Sequence, residues 1–115
     1  MTNEELIEVT DKVRKLIAES PSAPPGRLSE ILVELSSLNS TLSEELQDIL
    51  IFKPEKLLEL KEVLKTVKEA EWTWDASKEG KKELWLKSWL LRIKENKSAI
   101  KTRLQTIHDE SFGQY

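Results

Sequence analysis

The stretch WLKSWLLRIKENKSAIKTRLQTI, residues 85–107, decides how the rest of the chain is read. Leu86, Ile93, Ile100 and Ile107 recur at seven-residue spacing, and Leu90, Lys97 and Leu104 fall between them. Alternating steps of four and three place these side chains along one side of a helix, as a packing seam. Trp85 and Trp89, four apart, add an aromatic strip beside it. A helix with one apolar side must cover that side with a neighbour. The segment therefore predicts an all-α protein whose last helix runs from about Lys81 to His108.

Upstream, Leu28, Ile31, Leu35, Leu38, Leu42, Leu46, Ile49 and Phe52 carry a second seam. It predicts a helix over 27–52, roughly 40 Å long at 1.5 Å per residue. Ser36, Ser37, Asn39, Ser40, Thr41 and Ser43 cluster midway, and Thr41 with Glu44 has capping-box spacing. The apolar register survives that cluster, so the helix is expected to be continuous. Pro54 suits a first helical position and the residue before it avoids helical geometry, so the chain makes either an antiparallel corner between Phe52 and Pro54 or a proline kink in one long rod, and compactness favours the corner. A third helix follows on Leu57, Leu60, Leu64, Val67 and Trp74, with Glu71 in an inward slot. Gly80, after the polar run 75–79, reads as a helix stop; the alternative is that Asp75 or Ser77 caps the next helix.

At the N-terminal end Thr2 and Glu5 form a capping-box pair, and Leu6, Val9, Val13 and Leu16 make a short stripe that Ile7 and Ile17 widen. Three prolines in Ser20–Gly26 predict an extended linker. Within it Pro21-Ser22-Ala23-Pro24 matches the four-residue P-[ST]-A-P late-domain motif, a pattern that also arises in any linker. The expected architecture is an antiparallel up-down-up bundle of three long helices, with a short N-terminal helix on a proline-rich linker. The segments are 1–19, a helix or swapped arm; 20–26, the linker; 27–108, the bundle; and 109–115, a tail docking loosely through Phe112 and Tyr115.

Composition narrows the function classes. The 115 residues contain no cysteine, which removes disulfides and thiol chemistry, and 34% are charged. No apolar run approaches a membrane span of roughly 18 residues, and the acids near Met1 do not resemble a signal peptide. These features predict a cytoplasmic protein without a membrane partner, in its own cell or inside a host. The net charge of -3 hides a polarity: residues 1–50 hold ten acids and four bases, residues 78–103 nine bases and three acids. Acidic and basic helices packing together, or a basic face for an anionic partner, would each produce it.

Nothing in the pattern names a reaction. His108 is the only histidine, and His108-Asp109-Glu110 cannot converge on one metal ion. No phosphate-binding glycine motif occurs. The expectation is a non-enzyme without metal or cofactor. Trp72, Trp74, Trp85 and Trp89 straddle the turn at 75–80 and cannot all face inward, so Trp72, Trp85 and Trp89 are candidate partner contacts. Trp85 and Trp89 beside Lys81, Lys82, Lys87, Arg92 and Lys94 also suit base stacking with phosphate contacts. Lys97 in an inward slot is a candidate register-setting residue, with Glu71 as its answering acid; both side chains reaching out to the rim is the equal alternative. The first reading is a self-associating protein–protein interaction module. The second is a nucleic-acid-associated accessory factor using the basic last helix.

Residues 28–107 also resemble small helical accessory proteins of bacteriophages and mobile elements. The resemblance rests on Leu35-Ser36-Ser37-Leu38-Asn39, on Ala70-Glu71-Trp72, on the loop Ser77–Gly80 and on the basic helix from Ile93 to Leu104. It implies a small accessory or host-modulating protein and carries no catalytic residues. The chain also has the size of secreted helical-hairpin proteins with a W-x-G turn, but Trp74 is followed by Asp75-Ala76 and that signature is missing.

Overall fold

The computed structural model describes residues 1–113, with side chains through Glu110. The described residues are helical with no strand: α1 (Asn3–Glu19), a 3-10 turn (Ser20–Ser22), α2 (Pro25–Leu64), α3 (Val67–Ala76) and α4 (Lys78–Gly113). The molecule is flat and long, 69 × 28 × 18 Å. All-α is what the structure shows. Three long helices are not, because two long helices of 40 and 36 residues are flanked by two short ones.

The α4 seam packs as expected. Leu86, Ile93 and Ile100 are buried, with Leu90, Leu104 and Ile107 half-buried beside them. They meet Leu28, Ile31, Leu35, Leu42 and Ile49 of α2 in one core. Lys53 meets Glu83, Glu45 meets Lys82, and Asn39 shares a groove with Lys97 and Ser98, so α2 and α4 run in opposite directions. Thr2 caps α1 by accepting the Glu5 N–H. Leu6, Val13 and Leu16 add to the same core, whereas Ile7 stays exposed.

Several sequence expectations are corrected. The corner at Phe52–Pro54 does not form, since α2 continues through Pro54 to Leu64. Phe52 packs edge-on against Trp74, with ring centres 6.0 Å apart, and Leu57 and Leu60 lie partly buried against the core, so straight continuation is rewarded by packing. The turn falls later. Lys65 adopts left-handed geometry, φ 66°, with its N–H on the Lys61 carbonyl. Thr66 then caps α3, accepting the Glu69 N–H at 3.1 Å. The hydroxyl cluster does not interrupt α2, because Ser36, Ser40 and Thr41 each donate to the carbonyl four residues earlier.

Gly80 is not a stop but part of the first turn of α4. A Cβ there would lie 1.8 Å from the Trp74 carbonyl oxygen, so only glycine lets the end of α3 approach this closely. Ser77 is the α4 cap, accepting the Gly80 N–H at 3.0 Å. The 20–26 segment is not an extended linker. It is a single 3-10 turn leading into α2 at Pro25, and Arg103 clamps it by donating to the Ser20 and Pro21 carbonyls at 2.8 and 3.0 Å. Ala23 of the P-S-A-P stretch is buried. The last helix does not stop at His108 but continues to Gly113. The docking expected of Phe112 and Tyr115 lies outside the described side chains.

Candidate partner-binding surface

The elbow between α3 and α4 sorts the four tryptophans into two buried and two accessible. Trp74 is in the core, its indole Nε1 donating to Glu83 Oε2 at 2.9 Å. Trp89, 6% exposed, is also core, with the Arg14 and Arg92 guanidinium groups 5.7 and 4.4 Å from its ring centre. Trp89 is thus removed from the candidate contacts. It lies three residues after Leu86 and four before Ile93, so it belongs to the seam rather than beside it. Trp85 is 36% exposed and stands edge-on to Trp89, ring centres 6.4 Å apart. Trp72 is 61% exposed, far along α3, with Lys68 Nζ 5.0 Å from its ring.

Trp85 lines a groove of 460 Å³ between the start of α1 and the start of α4. Leu6 and Ile7 form its apolar wall, and Lys78, Lys81 and Lys82 rim it. The structure therefore brings Trp85, Lys81 and Lys82 together. Ile7 was expected to widen a core stripe, and here it is the exposed apolar partner of Trp85. The other basic candidates are turned to internal work. Lys87 donates to Glu83 at 3.1 Å, and Arg92 covers Trp89. Lys82, though at the rim, holds Glu45 at 3.3 Å. Glu45 also accepts the Met1 amino group at 3.0 Å. Burial pushes the Glu45 carboxyl up, but these two cationic donors outweigh it and hold the group below its ordinary range.

Glu83, 2% exposed, is the most enclosed charge. Burial works against its ionised form, yet bonds from Lys53 (2.7 and 3.0 Å), the Trp74 indole and Lys87 prevail and bring its pKa down to about 2. Its lone pairs are spoken for, and near neutral pH it is a fixed anion joining α2, α3 and α4, with no proton to transfer. Stepping the α4 seam back three residues from Leu86 reaches Glu83, so its inward position was readable.

Lys97 is half-buried in the seam and Glu71 is exposed on α3. Glu71 lines a cleft with Pro54, Leu57 and Lys61, while Lys97 lines a groove with Asn39 and Ser43. Among the described residues no ion pair joins the two. Among the described residues no group of acidic or histidine side chains could hold a metal ion, and no helix is long and apolar enough to cross a membrane. Set beside family models, curated proteins and solved structures, the chain matches none of them.

Proposed function

We propose that this chain is a non-catalytic helical interaction module that self-associates through the Trp85 groove, in the manner of a small accessory protein of the kind its sequence resembles. One observation carries the reading. A large aromatic ring, braced from behind by buried Trp89, is left part-exposed beside an exposed isoleucine and three lysines at the start of α4. Rigid aromatic anchors in partly enclosed grooves supply much of the energy of protein interfaces. The acidic first turn of α1, with Glu4 and Glu5, supplies charge that would suit the lysine rim of a second copy.

Sedimentation of the full chain tests this. Wild type is expected to sediment as an oligomer and Trp85→Ala as a monomer of unchanged helicity. A monomeric wild type, or an oligomer indifferent to the substitution, removes this surface from the account. The nucleic-acid reading draws on the same indole, since a part-exposed ring beside Lys78 and Lys81 also suits base stacking. It predicts Trp85 quenching by an oligonucleotide, with affinity falling steeply as salt rises. With Lys82 and Lys87 held by carboxylates and Arg92 over Trp89, fewer cations remain for phosphate than the sequence suggests.

A further inference from the structure

A second groove lies on a different side of α4 from Trp85. Trp89, Asn96 and Arg103 turn toward α1 and the turn after it. Lys94, Lys97, Ser98 and Lys101 instead line a groove of 610 Å³ whose other wall is Asn39 and Ser43 of α2. Its apolar residues are Leu90, half-buried, and Leu91, exposed.

The charges here are arranged unlike those around the Glu45 and Glu83 carboxylates. Lys53, Lys82 and Lys87 each hold a buried carboxylate. Lys94, Lys97 and Lys101 are engaged by no hydrogen bond or ion pair among the described residues, and no acid lines their groove. Three acids of α2 are engaged elsewhere: Glu30 and Glu34 bind Arg27, and Glu45 binds Met1 and Lys82. Lysines three and four residues apart on one helix repel, and a lysine in a seam position sacrifices packing. The fold bears both costs without an internal partner to offset them.

The shape fits an added helix. The thinnest dimension is 18 Å, less than two helix diameters of about 10–12 Å each. Two antiparallel helices with a furrow between them, leucines at its floor and lysines along one side, offer the seat that a third helix fills in a bundle. Leucine in the groove, with no aromatic ring lining it, favours an apolar helix stripe over stacked bases.

We propose that the Lys94–Lys97–Lys101 groove is a docking site for an acidic amphipathic helix of a partner protein, separate from the Trp85 surface. The leucine stripe of such a helix would lie on Leu90 and Leu91, with its flanking carboxylates on the three lysines. The test uses the full chain and a fluorescein-labelled synthetic peptide of about 20 residues, roughly 30 Å of helix, with leucines on one face and glutamates beside them. A scrambled peptide of the same composition and a labelled DNA duplex serve as comparisons. Anisotropy is expected to show the ordered peptide binding about tenfold more tightly than either. A Lys97→Glu/Lys101→Glu double variant loses about tenfold in affinity, and the exposed-site variant Leu91→Glu loses several-fold. Trp85→Ala leaves binding unchanged, which keeps this result distinct from that of the sedimentation experiment. Equal binding of the scrambled peptide, preference for the duplex, no binding of the ordered peptide, or loss of binding in Trp85→Ala instead of the groove variants would each overturn the proposal.

Discussion

The two ends of α2 have similar leucines and different neighbours. Before Pro54, α1 and α4 both lie against the helix, and Leu28, Ile31, Leu35 and Leu42 are wholly enclosed. After Pro54 the ten-residue α3 folds back along it, and no residue of that part is buried: Leu57, Leu60 and Leu64 are half-covered, Leu58 and Val63 exposed. An apolar stripe does not by itself make a core. It needs neighbours on both flanks, and the seam pattern reports the stripe without reporting what covers it.

Substitutions on either side of Pro54 should separate sharply. Leu35→Ala is expected to cost about 3–4 kcal/mol, because it opens a cavity in a closed core, and Leu60→Ala about 1 kcal/mol, because its site is already partly solvated. Denaturant unfolding checks both, and equal costs would erase the contrast.

The junction between the halves is the Glu83 cluster, which ties Lys53 of α2 and Trp74 of α3 to α4. Folding takes the Glu83 carboxyl from 4.5 down to about 2. Its contribution is therefore complete above the unfolded value and lost as pH falls toward the folded one, in all about 3 kcal/mol at 1.36 kcal/mol per unit. Stability measured from pH 6 to pH 2 should drop through that window, with Glu45 adding in the same direction. Glu83→Gln should flatten the drop.

Pro54 marks the boundary itself. If α2 passes through it unbroken, proline there leaves the Leu50 carbonyl without its helical donor. Pro54→Ala should then raise stability by about 2 kcal/mol, read from the denaturation midpoint. At a true corner the same change would stabilise nothing.

What was legible in the sequence follows from these contrasts. The α4 seam was readable because a long uninterrupted helix faces α2 along most of its length. The Pro54 corner was misread because a local preference gave way to packing of Phe52 on Trp74. The real turn had a readable signal: Thr66-Val67-Lys68-Glu69 repeats the T-x-x-E spacing of Thr2 and Glu5. Thr41 and Glu44 share that spacing without capping anything. There the hydroxyl turns back to the Ser37 carbonyl, and buried Leu35 and Leu42 hold the backbone helical on either side. Cap signatures are thus decided by how firmly the flanking turns are packed. Gly80 was misread for a related reason, since its small size serves an approach by Trp74 that no local pattern encodes.

Native-state hydrogen exchange along α2 tests most directly the claim that one continuous helix spans a closed half and an open half. Amides over 28–50 should exchange only through global unfolding, while those over 55–64 and 67–76 exchange through a smaller, separate opening. A single exchange free energy across the whole of 28–64, or protection that ends abruptly at Phe52, would contradict it.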